Sequence, residues 1–497
     1  MPVRRLHPVH VWSIVVVAAS VAVYAPTLGQ GFAYDDQVIV VMNTRIRSLD
    51  RIPSLVRSTE WAGSGIVNAD YRPLTDVTLA LNHAVSGLAP WSYHATNVLL
   101  HALAAALLLA VGLRLGLDTT AAGAAALLFA IHPIHVEAIA PIIGRKDVLA
   151  TVFALSTVLL HRRALRLGGA SVAWPVLAFL AAMFSKESGV VAVGLVALHD
   201  LLQPRPDGAP SQLRRRVALY AGYAVGLVGY LLLYREVTAG LGRLPPLGDN
   251  PTAHASAAVR LLTAVAVVGK GLALQLVPIG QSPDWSYQAI PLVGSPADPR
   301  FLAACAALAL WLGAGIALRR RAPVVLVGLA WYLGTLLPVS NIPFAIGTVF
   351  GERLLYLPSA GLALVAGAGL VALARRLPRI PLSMAAAGAA VALCFATVSY
   401  AQAWGDELRL FGLAAERVPT SFRVHLMLAG LLLGRGAAPA ALAEADRAVA
   451  LNPWSFGAHM VRASILHELG RVDDEAQARR AALLTRNDAD VLLRPRE

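Results

Sequence analysis

The stretch Val98–Leu115, VLLHALAAALLLAVGLRL, is almost continuously apolar over its 18 residues. An apolar run approaching about 20 residues is long enough to cross the hydrocarbon core of a bilayer as a helix. The runs Val11–Leu28, Phe301–Leu318 and Leu354–Ala374 have the same character. In lipid such runs must be helical, because no water is present to satisfy their backbone polar groups. The sequence therefore predicts an all-α, polytopic membrane protein.

The composition agrees with this fold class. The 497-residue chain is 57% hydrophobic and 14% charged, whereas soluble domains carry roughly 25% charged residues. Its net charge of +13 falls in clusters between apolar runs, which is the pattern of a membrane protein and argues against nucleic-acid binding. Cys305 and Cys394 both lie inside apolar runs and predict neither a disulfide nor a metal site.

The basic clusters predict the orientation of the chain, because cytoplasmic loops carry an excess of Lys and Arg. If all clusters face the cytoplasm, the N-terminus is inside, about 11 spans follow, and the long loop 29–90 faces outward. The stretch Val259–Val277 does not fit this register and is interpreted as re-entrant or interfacial. The first span is interpreted as a retained anchor rather than a signal peptide, because no small-residue cleavage site follows it. The clusters are Arg4–Arg5, Arg114, Arg162–Arg163 with Arg166, Arg205 with Arg214–Arg216, Arg319–Arg321, and Arg375–Arg376 with Arg379.

Beyond the membrane domain, taken as residues 1–403, the segment 404–497 is charged, Ala-rich and repetitive. Val418-Pro419-Thr420-Ser421-Phe422 recurs as Asn452-Pro453-Trp454-Ser455-Phe456, and the two prolines are 34 residues apart. This period is typical of tetratricopeptide helix pairs. About two repeats are predicted, on the extracytoplasmic side, and they are expected to pack on the membrane domain because such a unit buries its apolar face only against a neighbour. A generic helical tail is the alternative.

The outward loop 29–90 opens with the adjacent carboxylates Asp35 and Asp36. Acidic residues at a membrane face are costly unless they pair or act. A carboxylate here could accept a proton from a hydroxyl or hold a divalent metal that bridges phosphate oxygens; a solvated loop start is the alternative. The same loop continues with Arg45–Arg57, predicted to be an interfacial amphipathic helix, and with Arg72 in Tyr71-Arg72-Pro73-Leu74.

The second predicted outward loop contains His132, His135 and Glu137. These three could bind a metal, but their spacing matches no standard zinc motif. Helix-capping or otherwise hydrogen-bonded histidines are the favoured interpretation.

Four cations lie in predicted outward loops, against the positive-inside trend: Arg145, Lys146, Lys186 and Arg353. An anionic headgroup would hold cations there. Ion pairs with the sequence neighbours, Lys186–Glu187 and Glu352–Arg353, are the alternative. Lysine is otherwise rare, Lys270 being the third of three. This bias is typical of a GC-rich bacterial genome and gives the inner membrane as the expected location.

Taken in order, these motifs resemble the transmembrane and tetratricopeptide-repeat O-mannosyltransferases of the GT-C superfamily. Single motifs are weak, but their order and number cover most of the chain. The matching pieces are Tyr34-Asp35-Asp36, Tyr71-Arg72-Pro73-Leu74, Tyr93–His101, His132–Glu137, Gly144-Arg145-Lys146-Asp147, Ser185-Lys186-Glu187, Asp284–Leu292 and Ser340–Ser359.

The resemblance implies a reaction. A polyprenyl-phosphate sugar, with mannose as its sugar, would be the donor, and a protein Ser or Thr hydroxyl would be the acceptor. Asp35 would be the general base, with Asp36 supporting it or binding the acceptor. Arg145, Lys146, Lys186 and Arg353 would hold the donor phosphate, and Arg72, His132, His135, Glu137 and Asp284 are further substrate-binding candidates. The repeats would present a polypeptide, although two repeats offer a short groove, so a glycan or lipid acceptor stays open.

Three other functions stay open. A transporter or lipid flippase would place charges inside spans and show internal two-fold repeats, whereas here the charges lie in loops. A non-catalytic membrane scaffold would use the repeats to hold partners and would tolerate the loss of Asp35. A polymerase or ligase of surface glycans would differ only in its acceptor.

Overall fold

The computed structural model describes residues 7–62, 69–202, 210–241 and 244–492, with the side chains of 210–211, 379 and 486–492 left out. Arg4, Arg5 and Arg205 of the predicted clusters lie outside the described residues. Regular structure in the described ranges is helical, which confirms the all-α prediction. The helices are α1 Pro8–Tyr24, α2 Ile52–Leu55, α3 Pro73–Ser86, α4 Trp91–Arg114, α5 Thr119–Ile131, α6 Val136–Ile139, α7 Arg145–Leu167, α8 Ala173–Ser185, α9 Val191–Leu202, α10 Pro210–Val237, α11 Ala257–Leu276, α12 Pro299–Leu318, α13 Val324–Leu336, α14 Pro358–Ala374, α15 Arg379–Ala403, α16 Glu407–Arg417, α17 Phe422–Gly434, α18 Ala438–Leu451, α19 Phe456–Glu468 and α20 Val472–Leu492.

Within the described residues, seven helices are long and apolar enough to cross a membrane. An eighth span arises if the pair Thr119–Ile131 and Pro133–Ile139, bent by 51°, is one broken span. Shorter apolar helices, among them α8, α13 and α14, add to these, and the count of about 11 stays a prediction. All of the stretch Val259–Val277 except its last residue lies in α11, a continuous helix of 20 residues, so the stretch lacks the break that a re-entrant hairpin requires.

The chain divides into two compact units that do not follow the order of the sequence. The first unit comprises Met1–Gly242, Ala309–Pro338 and Arg353–Gly405. The second comprises Arg243–Leu308, Val339–Glu352 and Asp406–Glu497. The assignment of 1–403 and 404–497 as functional domains stays a prediction.

In the first unit, helix α5 packs against α1, α4 and α14, and α7 packs against α4 and α8. Alanines line the buried face of α5, at positions 121, 122, 125 and 126. Facing them, Gly367 of α14 leaves no room for a Cβ against the backbone of Ala121 and Ala125. Small residues let helix backbones approach closely, which is how membrane helices gain packing energy without a hydrophobic effect between them.

The described residues of the loop 29–90, which are 29–62 and 69–90, are folded rather than extended over the surface. The buried loop residues Ile39, Val40, Ile46 and Leu55 pack with Leu79, Ala80, Tyr93, Ile142 and Ile143. The predicted amphipathic helix Arg45–Arg57 is wrong: two short 3₁₀ turns and the four-residue α2 occupy this stretch. Asn43 and Ser48 each accept a backbone N–H two residues on, and such local bonds compete with a regular helix.

The C-terminal segment of the second unit repeats in structure as well as in sequence. Helices α17 and α19 begin at Phe422 and Phe456, and α18 and α20 begin at Ala438 and Val472, in each case 34 positions apart. The two halves also share local bonds. Ser421 and Ser455 each cap the helix that follows, and Nε2 of His425 and of His459 each lies 2.9 Å from the carbonyl oxygen of Pro419 and Pro453, respectively.

Alanines at the facing positions of these helices allow close packing. Ala429, Ala441, Ala445 and Ile465 form a buried cluster, and Ala463, Leu466 and Ala478 form a second. The start of α17 rests on other parts of its unit, because Ser421 donates to Asp284 at 2.7 Å and Arg417 donates to the Gln281 carbonyl at 3.0 Å. The repeats therefore pack against the loop that follows α11.

Candidate active site

The two adjacent carboxylates of the first loop have different environments. Asp36 is fully buried and accepts hydrogen bonds from the backbone amides of Ala33, Ile142 and Ile143 at 3.3, 3.0 and 2.9 Å. Burial raises the pKa of Asp36 to about 7, although these three donors act to lower it. Asp36 thus fastens the first loop to the turn that precedes α7.

Asp35 is the more accessible carboxylate of the pair. It is half-buried and follows Tyr34, whose φ of 55° places a non-glycine residue in the left-handed region. Such conformations are strained and concentrate at functional sites. Asp35 lies near Arg353, since its charge, together with the charges of Glu137 and Asp147, raises the pKa of that guanidinium, while burial acts in the opposite direction as the largest single influence.

Arg353 forms an ion pair with Glu137. Its NH1 group donates to one carboxylate oxygen of Glu137, and its backbone amide donates to the other at 2.9 Å. The Glu137 side chain is 2% exposed, while that of Arg353 is 30% exposed. The guanidinium therefore pairs with a buried carboxylate and is itself partly exposed.

Lys186 and Asp147 form a second buried ion pair. The Nζ of Lys186 lies 2.6 Å from Asp147 Oδ1, and the other oxygen of Asp147, also buried, has no hydrogen-bond partner in the described structure. Burial lowers the pKa of Lys186, although Asp147 acts to raise it. Because Asp147 also acts on Arg353, this pair continues the cluster that contains Asp35.

Arg72 makes contacts with three carboxylates. It donates to Glu60 at 2.7 Å, to Asp70 at 2.9 Å, and through two nitrogens to Glu187 at 2.8 and 3.1 Å. Lys146 lies 3.5 Å from the same Glu60 oxygen. A planar guanidinium suits this forked geometry, which an ammonium group does not match.

Asp76 on α3 belongs to the same buried region. It is fully buried, and neither carboxylate oxygen has a hydrogen-bond partner in the described structure. Burial, followed by the charge of Glu60, raises the pKa of Asp76 well above its usual value. A buried carboxyl with no partner is costly when ionised, so the neutral acid is the form that this position favours.

The charged network so defined holds Arg72, Lys146, Lys186 and Arg353 together with Asp35, Glu60, Asp70, Glu137, Asp147 and Glu187. Ion pairing of these cations, the alternative to headgroup binding, is thus present with carboxylates that are distant in the sequence: Lys186 pairs with Asp147 and Arg353 with Glu137. An incoming phosphate would therefore exchange with carboxylates or use donors that they leave unused.

Arg145 lies apart from this network. It is fully buried and donates to neutral oxygens: Asn97 Oδ1 at 2.7 Å, Asn82 Oδ1 at 2.5 Å, Thr78 Oγ1 at 3.3 Å and the Tyr93 carbonyl at 2.8 Å. These contacts tie α7 to α3 and α4. Binding of the donor phosphate by Arg145 stays a prediction, but its contacts describe a residue that holds helices together.

The two histidines of the second loop have structural partners. His132 Nδ1 accepts the amide of Ile134 at 3.1 Å as a helix cap. His135 Nδ1 lies 2.8 Å from the Phe129 carbonyl oxygen, and its Nε2 lies 2.7 Å from Ser359 Oγ. No group of three or more His, Cys, Asp or Glu side chains in the described ranges is arranged to hold a metal ion.

Asp284, the remaining substrate-binding candidate, is in the second unit. It is buried and accepts hydrogen bonds from the backbone amide and the hydroxyl of Ser286 and from Ser421. Trp285 is also buried, with Lys270 Nζ 4.1 Å from its ring centroid. The loop that contains Asp284 and Trp285 therefore attaches the first repeat, and the Trp285 ring is buried.

The sequence motifs do not identify four acidic residues of this region as site residues, namely Glu60, Asp70, Asp76 and Asp147. The signal that could have found them is the charge balance: buried outward cations require carboxylates, and these four are acidic residues of the same two loops and of the helices that follow them.

These features define the class: a multi-pass, all-α membrane protein whose first loop and α7 build a partly buried charged site. The segment 247–312 matches the family described as Protein O-mannosyl-transferase TMTC, DUF1736. The chain is 29% identical over 490 residues to Protein O-mannosyl-transferase TMTC4 of Mus musculus, covering 87% of this chain and 65% of the relative. It is 30% identical over 385 residues to Protein O-mannosyl-transferase TMTC3 of Mus musculus, covering 71% of this chain and 41% of the relative. It is 28% identical over 516 residues to Protein O-mannosyl-transferase TMTC1 of Homo sapiens, covering 93% of this chain and 57% of the relative.

These matches confirm the predicted resemblance: the chain is related to the transmembrane and tetratricopeptide-repeat O-mannosyltransferases. It spans less than two thirds of the length of these relatives, at 65%, 41% and 57%. No solved structure matches the chain.

Proposed function

We propose that this protein is a membrane glycosyltransferase that moves a sugar, mannose, from a polyprenyl-phosphate donor to a hydroxyl of a polypeptide on the extracytoplasmic face. The observation that carries the proposal is that Asp35 is half-buried and that its charge acts on Arg353, the partner of Glu137. A carboxylate base near a partly exposed cation is the arrangement required for attack by a hydroxyl with departure of a phosphate. The names of the relatives, protein O-mannosyl-transferases, support the sugar and the acceptor.

In the proposed step, the acceptor oxygen attacks the anomeric carbon of the donor sugar. A bond forms between these two atoms while the bond from the anomeric carbon to the phosphate oxygen breaks. Asp35 accepts the hydroxyl proton, and the bond electrons leave with the polyprenyl phosphate. General-base help of this kind contributes roughly 10²- to 10⁴-fold in rate.

The phosphate departs with additional negative charge, so cations that face it lower the barrier. Arg353 is the first candidate, because its guanidinium is 30% exposed and carries more N–H donors than Glu137 uses. Lys186 and Lys146 supply further positive charge behind it. Asp36 holds the loop in place, since its carboxylate is occupied by backbone amides.

The test is sugar transfer by the purified protein in detergent, with labelled polyprenyl-phosphate mannose and an envelope extract as acceptor. Asp35→Asn keeps the size of the side chain and removes the base, so we expect at least a roughly 100-fold loss of transfer. Asp50→Asn is the matched control, because Asp50 is an exposed acid of the same loop that bonds only locally, to Ser48.

Each outcome decides a different point. Loss in Asp35→Asn alone supports the proposed base. Equal transfer by Asp35→Asn and wild type overturns the role of Asp35 as the base but still supports the proposed sugar transfer. Absence of transfer by wild type with several donor sugars and acceptors overturns the enzyme and favours a scaffold or a transporter.

A further inference from the structure

A second polar cluster lies at the opposite end of α7 from the charged network. His161 follows Asp147 by 14 positions on the same helix, which corresponds to roughly 21 Å along its axis. The ends of α4 and α7, the end of α9 and the start of α10 meet in this region of the first unit, through the contacts described below. Its basic residues are Arg114, Arg162, Arg163, Arg166, Arg214, Arg215 and Arg216.

Arg162 is held in place by neutral groups. Its NH1 lies 3.4 Å from the Arg114 carbonyl oxygen at the end of α4 and 3.4 Å from His199 Nε2 on α9. A guanidinium has five N–H donors, and these contacts use only NH1. Within the described residues no carboxylate pairs with Arg162, so its charge is not neutralised locally.

Arg215 has the same character at the start of α10. Its NH1 donates at 2.9 Å to the carbonyls of both Leu165 and Arg166, which end α7. Its guanidinium lies over Gly168, where an added Cβ would come within 2.6 Å of Nε. Gly168 has a φ of +67°, a conformation that favours glycine at a helix C-terminus. The position of Arg215 is therefore built into the turn, rather than left to a mobile surface side chain.

Asp200 is the carboxylate that pairs with this cluster in the described structure. Its Oδ2 lies 3.9 Å from Arg216 Nε and 3.4 Å from His161 Nε2, and it accepts from Tyr220 at 3.3 Å. Among the described residues, Arg216 pairs with Asp200, whereas Arg162 and Arg215 form no ion pair with a carboxylate. Positive charge is therefore in excess in this cluster.

The depth of these arginines suits a lipid. The candidate spans Ile142–Leu167 and Gln212–Val237 end and begin here, so in a bilayer that these helices cross the guanidinium groups would lie where headgroups meet the hydrocarbon. Large apolar side chains beside them are exposed: Leu167 by 60%, Leu213 by 67% and Val217 by 61%. A ligand that matches both features has a phosphate with acyl chains attached.

We propose that Arg162 and Arg215, with the exposed Arg166 beside them, bind the phosphate headgroup of an anionic membrane lipid. Their unused donors provide forked hydrogen bonds, for which guanidinium and phosphate geometry match. Basic pockets between membrane helices bind anionic headgroups in this way. The site is separate from the proposed transfer reaction, and its ligand is recognised by charge and acyl chains, not by a sugar.

The experiment measures lipid binding by the full-length protein in detergent, using native mass spectrometry and the thermal unfolding midpoint. The probes are phosphatidylglycerol, the zwitterionic phosphatidylcholine and inorganic phosphate. We expect phosphatidylglycerol to bind and to raise the midpoint more than phosphatidylcholine. Arg162→Gln with Arg215→Gln should weaken phosphatidylglycerol binding by roughly 30-fold, because each basic residue contributes about 1 kcal/mol.

Two further variants keep the test decisive. Arg166→Gln removes an exposed cation without touching the folded contacts of Arg162 and Arg215, and should weaken binding roughly fivefold even if the double variant is unstable. Arg321→Gln removes one exposed cation from another basic loop and should leave binding unchanged. Equal binding of both lipids, equal stabilisation by inorganic phosphate, or an equal effect of Arg321→Gln would each overturn the proposed lipid site.

Discussion

The carboxylate of Asp36 accepts a 2.9 Å hydrogen bond from the backbone amide of Ile143, which lies 107 positions further along the chain. The neighbouring amide of Ile142 donates to the other oxygen. One buried side chain therefore fixes the distance between the first loop and the turn before α7. The first loop carries Asp35, and helix α7 carries Lys146 and Asp147. Catalytic geometry must be held to a fraction of an ångström, so this bond is expected to matter for transfer as well as for stability.

The first prediction concerns the pH dependence that Asp36 adds to stability. Its pKa of about 7 in the folded chain is above the usual value of 3.8. The folded protein therefore holds a proton that the unfolded chain has released between about pH 4 and pH 7. Stability then falls as the pH rises through this window, by at most about 1.4 kcal/mol per unit from this group.

Asp36→Asn removes that titration. Thermal unfolding midpoints of wild type and variant from pH 4.5 to 7.5 should converge as the pH rises, because only the wild type loses stability through Asp36. The variant should be the less stable at low pH, since its amide can accept from fewer of the three backbone donors, at roughly 1–3 kcal/mol for a buried donor left unpaired. Parallel pH profiles would show that Asp36 does not titrate in this range.

The second prediction concerns Arg72 and its three carboxylates. Arg72→Met would leave Glu60, whose side chain is fully buried, without its closest cation, and breaking a buried pair typically costs about 3–5 kcal/mol. Glu187→Gln should cost less than about 1 kcal/mol, because the Glu187 side chain is 44% exposed and Arg72 keeps two partners. Thermal unfolding in detergent measures both, and a larger loss in Glu187→Gln than in Arg72→Met would contradict this ranking.

The ion pair between Arg72 and Glu187 gives stability a pH dependence opposite in sign to that from Asp36. Arg72 lowers the pKa of Glu187 below its usual value of 4.5, and solvent around the 44% exposed side chain screens this effect. The stabilisation from this pair is therefore present above about pH 4.5 and is lost as the pH falls through the lowered pKa. In Glu187→Gln that part of the acid sensitivity should be absent.

The elements that follow from local pattern were predictable, and the ion-pair partners were not. Apolar runs such as that in α4 give helices whatever surrounds them, and the 34-residue period is reproduced down to the His425 and His459 bonds. Lys186 instead pairs with a carboxylate 39 positions away and Arg353 with one 216 positions away. Such partners depend on which helices pack together, which neither periodicity nor sequence neighbours report. The hydrogen-bond partners of Arg145 were not predictable for the same reason, because they come from α3 and α4.

The third prediction separates recognition of the donor phosphate by Arg353 from a purely structural role. Arg353→Lys keeps the charge beside Glu137 but loses the planar fork that matches a phosphate. We expect the KM for the polyprenyl-phosphate donor to rise roughly tenfold, or about 1.4 kcal/mol. Transfer at varied donor concentration, together with the unfolding midpoint, gives the measurement.

Arg300→Lys is the control for Arg353→Lys, because Arg300 also pairs with a carboxylate, through a fork of Nε and NH2 to Asp298, but is 42% exposed. It should change neither the KM nor the unfolding midpoint by much. If Arg353→Lys lowers the midpoint while leaving the KM for the donor as in wild type, Arg353 is structural and the proposed phosphate contact is wrong.

The last prediction concerns the attachment of the repeats at Ser421. This serine caps α17 through the Val424 amide and also donates a 2.7 Å hydrogen bond to the buried carboxylate of Asp284. Ser455, its equivalent 34 positions on, caps α19 through Ala458 and makes no contact with Asp284 in the described structure. The two serines therefore differ in one bond, which makes each the control for the other.

Ser455→Ala should cost about 1 kcal/mol, the usual cost of a lost N-cap. Ser421→Ala should cost that amount and roughly 1.5–3 kcal/mol more, since a hydrogen bond to a charged group is also lost. Thermal unfolding of both variants in the same detergent gives the difference between them. In an Asp284→Asn background the difference should shrink, because the charge that strengthens the bond is absent. Equal losses for the two serines in the wild-type background would mean that the hydrogen bond from Ser421 to Asp284 does not secure the repeats.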